Sequence, residues 1–315
     1  MLNYSFVNKN ETKPYNMGNV ENSSHLETAV VILNVPLMFA PITGNALVLA
    51  AILKTPSLRS LPSNIFLCSL SITDFLVGLV VQPVYIIRKL NNSTSEFFLK
   101  ATGFITYILC GVSLTTITAI SLDRLFALHY HMTYPNLITT KRAIYASASL
   151  WFVSIMLSCL GVWITGVYFL IVGVLTAICF VISAASYIRI YFIVRHHQIQ
   201  IHAQQQAVNN FSISVNIPDS NNMLISKKHA LKTFMYYACM VFCYLPYLSV
   251  SLLFFASVIG YDRLKWSFVE TLVFVNSSIN PFLFCWCNRR IRKSVVKIVR
   301  KMMCRQTGEA GELEG

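Results

Sequence analysis

The feature that most constrains this chain is a long stretch without any charged residue, which runs from Ala143 to Ile188. A helix crosses the hydrocarbon core of a membrane with roughly 20 apolar residues, at about 1.5 Å of rise per residue. The stretch is therefore long enough for two crossings and has to fold back on itself. Gly161 and Gly166 bracket the expected turn, which predicts a very short loop between the two crossings.

Apolar runs of similar length recur along the rest of the chain. Charged residues make up 12% of it and the mean hydropathy is +0.59, whereas soluble domains carry about a quarter charged residues. So few polar side chains cannot cover a water-facing surface, and lipid has to cover it instead. We therefore predict an all-α membrane protein, a seven-transmembrane helix bundle. The predicted spans are 29–53, 62–87, 98–128, 143–165, 166–194, 233–259 and 266–287.

The distribution of basic residues predicts the orientation of this bundle in the plasma membrane. If the N-terminus is extracellular, 18 of the 25 Lys and Arg residues lie on the cytoplasmic side, where basic residues are usually in excess. This topology explains the net charge of +13, which therefore does not indicate a nucleic-acid partner. Five glycosylation sequons of the form N-x-[ST] lie on the extracellular side in the same orientation. They begin at Asn3, Asn10, Asn22, Asn91 and Asn92.

The chain divides into four segments on this interpretation. They are an extracellular glycosylated N-terminus (1–28), the bundle (29–287), an amphipathic eighth helix (288–303) and a cytoplasmic tail (304–315). The amphipathic helix is expected to lie on the anionic inner leaflet of the bilayer. Cys304 follows it directly and is either palmitoylated or a free thiol. The apolar face of this helix consists of Ile291, Val295, Ile298 and Met302.

Polar side chains at bilayer depth are costly unless they are paired, so each one is a functional candidate. Asp74 lies midway along the second span, and polar residues of the third and seventh spans can meet it within a bundle. Oxygen ligands around one carboxylate suit a hard cation, so an allosteric sodium ion is expected there. The alternative is a hydrogen-bonded network without an ion. The residues of this predicted pocket are Asp74, Ser113, Asn276, Ser277 and Asn280.

Two further features predict moving parts. Arg124, at the inner end of the third span, cannot lose its proton and has to pair with Asp123, bond to a carbonyl or face water. A pair that exchanges partners would act as a switch, whereas snorkelling of Arg124 to the interface is the simpler alternative. Pro83, Pro246 and Pro281 each remove a backbone hydrogen bond within a span and so predict kinks.

Taken in order, these residues resemble the motifs of the rhodopsin family of G-protein-coupled receptors, over about residues 29–303. The matching positions are Asn45 in G-N, Asp74 in L-S-I-T-D, Arg124 in D-R-L, Trp151, Tyr187, Pro246 in C-Y-L-P and Pro281 in N-P-F-L-F. The resemblance implies that an extracellular ligand binds in the outer half, that the sixth span swings, and that Arg124 then contacts a heterotrimeric G protein. The residues it implicates in coupling and switching are Asp123, Arg124, Met132, Tyr187, Pro246, Pro281 and Phe284.

Several positions depart from the pattern of that family. Leu99 replaces a cysteine near the outer end of the third span, and Cys179 replaces the proline of the fifth. With the very short second outer loop, these traits resemble the melanocortin receptors. However, Val84 and Gly103 stand where those receptors carry acidic residues, so melanocortin ligands are not expected. Thr106 stands where amine receptors carry an aspartate, which disfavours a biogenic amine.

Three further replacements concern the resting state of such a receptor. Tyr244 replaces a tryptophan of the sixth span, and Phe284 replaces a tyrosine of the seventh. Ser226 replaces the acidic residue that often forms an ion pair with the arginine at the position of Arg124. The loss of the tyrosine hydroxyl, of this ion pair and of the disulfide that the missing cysteine would form is expected to destabilise the resting state. We therefore expect appreciable activity without ligand.

The resemblance places the ligand pocket in the outer half of the bundle. Its aromatic lining with few polar anchors suits a small ligand, and a lipid or a short peptide is also open. Phe274 stands in place of the opsin lysine, which excludes a retinal Schiff base. Glu270 either accepts a cationic group of the ligand or pairs with Arg263 or Lys265. The predicted lining residues are Gln82, Tyr85, Thr106, Tyr107, Cys110, Tyr244, Tyr247, Ser251, Glu270 and Phe274.

Other classes of protein fit the sequence less well. A secondary transporter is expected to show inverted repeats with helices broken at matched positions, and these spans show no internal repeat. A channel needs a ring of carbonyls or charges along a pore, and charged residues within the spans are few. No Ser–His–Asp, H-E-x-x-H or phosphate-binding glycine motif indicates an enzyme. A transporter or channel without a signalling role is the alternative that the sequence leaves open.

Overall fold

Long helices make up most of the structure. The computed structural model describes the backbone over residues 17–90, 96–130, 133–163, 165–210, 220–256, 260 and 262–312. No strand occurs within these ranges. We number the long helices in chain order as α1 Met17–Lys54, α2 Pro62–Leu90, α3 Glu96–His129, α4 Thr140–Trp163, α5 Thr165–Asn210, α6 Ser220–Phe255, α7 Arg263–Cys287 and α8 Arg289–Glu312.

Seven of these helices contain a segment long and apolar enough to cross a membrane, which confirms the predicted bundle. Every predicted span begins and ends within five residues of the corresponding segment. We call the end of the bundle that carries Arg124 the inner end and the opposite end the outer end, after the predicted orientation. The segments are His25–Lys54, Pro62–Leu90, Lys100–His129, Thr140–Gly161, Ile171–His196, Tyr237–Phe254 and Leu264–Cys287.

The bundle is polar inside and apolar outside. Asn45 and Asp74 are fully buried, whereas Val181, Phe242 and Phe282 are each about two-thirds exposed. A soluble fold would bury the second group and expose the first. Because lipid replaces water around the spans, this burial pattern is the one expected of a membrane bundle.

The helices form a closed ring in which α3 packs against α2, α4 and α5. α6 packs between α5 and α7, and α1 closes the ring against α7 and α2. Glycines allow the closest approaches of α1. A Cβ atom on Gly44 would lie 2.7 Å from Pro281 Cγ, and one on Gly78 would lie 2.8 Å from Pro41 Cγ. Larger residues at these two positions would separate the helices.

α2 contains a wide turn directly after Asp74. Residues Val77–Val81 are π-helical, and the N–H of Gln82 donates to the Val77 carbonyl five residues earlier. Pro83 follows and has no N–H to donate, so the irregularity expected at this proline takes the form of a π turn. Such turns are frequent at functional sites.

Asn288 separates α7 from α8. Its Oδ1 accepts hydrogen bonds from the N–H groups of Arg290 at 3.0 Å and Ile291 at 3.3 Å, which caps the start of α8. Ile291 is fully buried in the main hydrophobic core. The Thr55 hydroxyl donates to Ser294 Oγ at 3.3 Å. α8 is therefore fixed to the bundle from its first turn.

Residues 301–304 of α8 are all exposed, unlike several residues of its first turns. The helix continues to Glu312, past the predicted end at 303. Of its predicted apolar face, Val295 and Ile298 are half-buried and Met302 is exposed. The bundle therefore covers only the beginning of this face.

Gly44→Ala is expected to destabilise the protein, because the new Cβ overlaps with Pro281 and pushes α1 away from α7. Overpacking of this kind costs about 1–3 kcal/mol. Gly173→Ala is a matched control, since a Cβ there meets Leu252 Cδ2 at 3.5 Å, an ordinary contact. Thermal unfolding in detergent should give a lower midpoint for Gly44→Ala than for the control. Equal midpoints would contradict the close packing of α1 on α7.

Candidate functional site

A buried hydrogen bond between α2 and α7 lies within the bundle. Asp74 and Asn280 are both buried, and Asn280 Nδ2 donates to Asp74 Oδ2 at 2.7 Å. From α1, Asn45 Nδ2 donates to the Pro41 carbonyl at 3.0 Å and to the Ser277 carbonyl at 3.4 Å. Ser277 and Asn280 are one helical turn apart, so α1 and α2 are both bonded to the same turn of α7.

Several buried polar atoms of α2, α3 and α7 have no hydrogen-bond partner within the described protein. Asp74 Oδ1, Ser113 Oγ and Asn276 Nδ2 belong to the predicted sodium pocket. Ser71 and Thr116 also have unpartnered hydroxyls and were missed from the sequence. Each lies three residues from a predicted member on the same helix, a spacing that could have indicated them. An unsatisfied buried group costs about 1–3 kcal/mol, so we expect water or an ion to bind these atoms.

The unpartnered atoms of the predicted sodium pocket have in part the chemistry of cation ligands. Asp74 Oδ1 and Ser113 Oγ offer oxygen ligands, which hard cations prefer. Asn276 presents Nδ2, an N–H donor that cannot ligate a cation but can bond to water. Asn280 holds the second carboxyl oxygen of Asp74 in place. Of the predicted residues, Asp74 and Ser113 therefore offer buried oxygens without a protein partner in the described part of the chain.

A second polar cluster joins α2 to α7 towards the outer end. Glu270 pairs with Arg88, with 3.5 Å between Oε2 and Nη2. The Tyr85 hydroxyl donates to the Ser267 carbonyl at 3.3 Å, and the Tyr85 ring meets the Phe274 ring edge-on with centroids 5.1 Å apart. The outer cluster, as we call it, consists of Tyr85, Arg88, Lys89, Ser267, Glu270 and Phe274.

Two cations of the outer cluster lie over one aromatic ring. The Arg88 guanidinium is 5.6 Å and the Lys89 ammonium 5.5 Å from the centroid of the Tyr85 ring. The Lys89 ammonium also donates to Ser267 Oγ. Cation–π contacts of this kind contribute about 0.5–1 kcal/mol at exposed sites. The ring of Tyr85 therefore holds both cations beside one residue of the predicted pocket.

The partner of Glu270 differs from the cations expected from the sequence. Lys265 pairs with Asp262 at 3.4 Å, because Asp262 caps the start of α7 and accepts two N–H groups of its first turn. The side chain of Arg263 lies outside the described residues. Arg88 is the partner instead, and both members are part-exposed, at 39% and 29%. Such a pair contributes only about 0.2–1 kcal/mol.

The other predicted pocket residues make different contacts. Gln82 is fully buried, and neither of its side-chain amide atoms has a partner within the described protein. The Thr106 and Ser251 hydroxyls donate to carbonyls of their own helices at 2.8 and 2.7 Å. Tyr85, Glu270 and Phe274 are thus the predicted residues that meet in one cluster. The remaining predicted residues are Tyr107, Cys110 and Tyr247, which are half-buried, and Tyr244, which is buried.

At the inner end, Asp123 bonds to Tyr134 rather than to its neighbour. The Tyr134 hydroxyl donates to Asp123 Oδ1 at 2.7 Å and lies 3.3 Å from Ser63 Oγ. Burial and the bond to Asp123 raise the pKa of Tyr134 to about 12, so the phenol remains a proton donor near neutral pH. No ion pair joins Asp123 to Arg124 in the described part of the chain, because adjacent helical residues point to different faces.

α3, α5 and α6 meet through tyrosines near the same end. The Ser121 and Tyr187 hydroxyls are 2.7 Å apart, and the Tyr187 and Tyr237 rings have centroids 5.2 Å apart. Tyr187 is buried. The tyrosine implicated by the resemblance therefore connects three of the helices that surround the inner end.

The remaining predicted residues fall into two groups. Phe284 is fully buried, Pro246 and Pro281 lie inside α6 and α7, and Cys304 is exposed on α8. The second group lies outside the described side chains and consists of Met132, Asn3, Asn10, Asn22, Asn91 and Asn92.

Sequence comparisons connect this chain with membrane receptors. A family model described as 7 transmembrane receptor (rhodopsin family) matches residues 44–168. The histamine H2 receptor of Canis lupus familiaris is 28% identical over 301 residues, which cover 87% of this chain and 79% of that receptor. The cannabinoid receptor type 1B of Takifugu rubripes is 23% identical in a match that covers 90% of this chain and 65% of that receptor. The QRFP-like peptide receptor of Branchiostoma floridae is 23% identical in a match that covers 89% of this chain and 80% of that receptor.

Asn280→Ala is expected to destabilise the protein more than Glu270→Gln does. The first change leaves a buried carboxyl group without its partner, at a cost of about 1–3 kcal/mol. The second removes a part-exposed ion pair, at a cost of about 0.2–1 kcal/mol. Thermal unfolding of both purified variants measures the difference. A larger effect of Glu270→Gln would show that the outer cluster, rather than the buried bond, is the main connection between α2 and α7.

Proposed function

We propose that this chain, which is similar to the rhodopsin family of seven-transmembrane receptors over residues 44–168, is a receptor that couples an extracellular ligand to a heterotrimeric G protein. The main support is a series of polar contacts between helices inside the bundle. The outer cluster, the Asp74–Asn280 bond and the Ser121–Tyr187 contact each join two different helices. A helix that shifts at the outer end therefore has to change contacts further inward.

The proposed movement is an outward swing of α6. Pro246 lies inside this helix, where the missing N–H permits bending. The inner half of α6 contacts α5 through Tyr237 and Tyr187, so a swing would separate these rings and open the inner end beside Arg124. A G protein that binds only the open form would shift the population towards it.

The outer cluster bears on the class of ligand. The relatives are named for histamine, cannabinoid and peptide ligands, so their names do not select one class. Thr106 stands where the resemblance places the aspartate of amine receptors, and Glu270 is already paired with Arg88. A simple amine would have to displace that pair without a second acid to hold it. We therefore propose another small molecule, a lipid or a short peptide as the ligand.

The predicted pocket around Asp74 is proposed to bind a sodium ion. Asp74 Oδ1 and Ser113 Oγ are buried oxygens without a protein partner, and they would be its ligands. Asn280 keeps the carboxyl group oriented through its bond to the other oxygen. When bound, the ion would supply the positive charge that balances a buried carboxylate.

Replacing sodium chloride by choline chloride is expected to lower the unfolding midpoint of the purified chain. An ion that binds only the folded protein stabilises it by mass action, and each kcal/mol shifts the midpoint by roughly 2–4 °C. Asp74→Asn should abolish the difference between the two salts, whereas Glu270→Gln should retain it. A wild-type midpoint that does not depend on sodium would favour the hydrogen-bonded network without an ion.

The receptor function is tested by cAMP measurements in cells that express the full chain without added ligand. We expect cAMP to differ from the empty-vector level, and Arg124→Ala to restore that level, because the guanidinium is proposed to contact the G protein. Arg59→Ala is the control, since Arg59 is another basic residue of the inner end, exposed where Arg124 is half-buried. It should leave the signal unchanged.

Surface expression has to be equal among the variants for this comparison. A signal that survives Arg124→Ala would contradict the role proposed for Arg124. A wild-type signal equal to empty vector in both cAMP and calcium assays would contradict the expected activity without ligand.

A further inference from the structure

The outer cluster carries more positive than negative charge. It contains two cations, Arg88 and Lys89, and one acid, Glu270. Both cations are half-buried and lie over the ring of Tyr85, so they are held against the bundle rather than extended into water. A ligand that approaches from the outer end is therefore attracted to this cluster if it is anionic and repelled if it is cationic.

The contact between Arg88 and Glu270 leaves the guanidinium able to bind a second acid. Among the described residues, the one hydrogen bond of this guanidinium is the 3.5 Å contact from its Nη2 to Glu270 Oε2. Charge-assisted hydrogen bonds of this type are usually about 2.7–2.9 Å long, so the contact is a weak one. A guanidinium has five N–H donors, and the other donors of Arg88 can bind a carboxylate.

We propose that Arg88 and Lys89 bind the carboxylate of an acidic ligand whose remaining part is apolar. Two cations and one acid give the outer cluster a net charge of +1, which matches a single carboxylate. The proposal rests on the receptor function proposed above, because it assigns a class of ligand to the same predicted pocket.

The surroundings of the two cations favour an apolar body for this ligand. The ring of Tyr85, which contacts both cations, meets the Phe274 ring edge-on. Both rings pack in a buried apolar cluster with Leu109 of α3. Small ligands are usually held by aromatic and apolar side chains, together with a few polar groups that fix their orientation. Arg88 and Lys89 provide such polar groups at the outer end.

Gln82 is a further polar residue on the same face of α2. It precedes Tyr85 by three residues and Lys89 by seven, a spacing that places all three on one side of a helix. Gln82 is fully buried, and neither of its side-chain amide atoms has a partner within the described ranges. Because such a group is costly, we expect a polar group from outside the protein to bond to it. The same face therefore offers an uncharged anchor roughly 9 Å further in than Arg88, six residues away at 1.5 Å each.

The test measures binding to the purified full chain in detergent, from the dependence of the unfolding midpoint on ligand concentration. The probes are 6-phenylhexanoate, 6-phenylhexan-1-ol and 6-phenylhexan-1-amine, which share one apolar body and differ in charge. We expect the acid to bind about tenfold more tightly than either of the other two, because it alone forms charge-assisted hydrogen bonds with both cations.

Arg88→Gln and Lys89→Gln should each weaken the binding of the acid about tenfold, because each removes a charge-assisted hydrogen bond. Lys265→Gln is the matched control, since it removes the same charge from an exposed position at the outer end of α7 that lies outside the outer cluster. It should change the affinity less than about threefold. A cooperative unfolding transition without ligand shows that each variant is folded.

Glu270→Gln tests the sign of the charge that the cluster recognises. It should strengthen the binding of the acid, because it removes the one acid of the cluster and releases Arg88. A ligand that binds Glu270 through a cationic group would instead bind this variant more weakly, and that result with the amine as the tightest probe would overturn the proposal.

Other outcomes would overturn the proposal as well. They are equal affinity for the three probes, no shift of the midpoint by the acid, and equal weakening by Lys265→Gln and the two cluster variants. Tighter binding of 6-phenylhexyl phosphate than of the acid would assign the cluster to a phosphate. The measurement needs no G protein, so an acid that binds as expected without a cAMP response in cells would contradict the receptor function and not the acid site.

Discussion

The hydrogen bond from Asn280 to Asp74 is the contact on which the rest of the bundle depends. A carboxyl group among lipid-surrounded helices cannot turn to bulk water, so its partners have to come from facing helices. Asn280 holds one oxygen, and the other has no partner among the described protein atoms. α2 and α7 are therefore paired at a fixed level. The turn of α7 that carries Asn280 also receives the bond from Asn45 of α1.

Features that follow from local composition could be predicted from the sequence. The uncharged stretch from Ala143 to Ile188 is long enough for two crossings, and it indeed divides into α4 and α5, whose boundary at Trp163 and Thr165 falls near the expected turn. Hydropathy also placed the other spans, because a run of about 20 apolar residues is itself the requirement for crossing a bilayer.

Features that depend on contacts between distant residues could not be predicted in the same way. Glu270 and Arg88 are 182 positions apart, and the residues around either one do not indicate the other. Lys265, the nearer cation, pairs with the capping residue Asp262 and so does not pair with Glu270. The partner of Asp123 depends on where the short helix Tyr134–Leu137 lies against α3. Such pairings are decided by the packing of whole helices and not by spacing along one of them.

The π turn at Val77–Val81 has a consequence for how the two halves of α2 relate. In a regular helix each residue turns the chain by about 100°, so one additional residue in a turn rotates everything beyond it relative to what precedes. Asp74 lies before the turn, and Tyr85 and Arg88 lie after it. The angular phase of the outer half is thus set separately from that of the inner half. Insertion or deletion of one residue within the turn would rotate the side chains of the outer half about the helix axis while Asp74 kept its position. The outer half of α2 can therefore change during evolution without a change in the inner half.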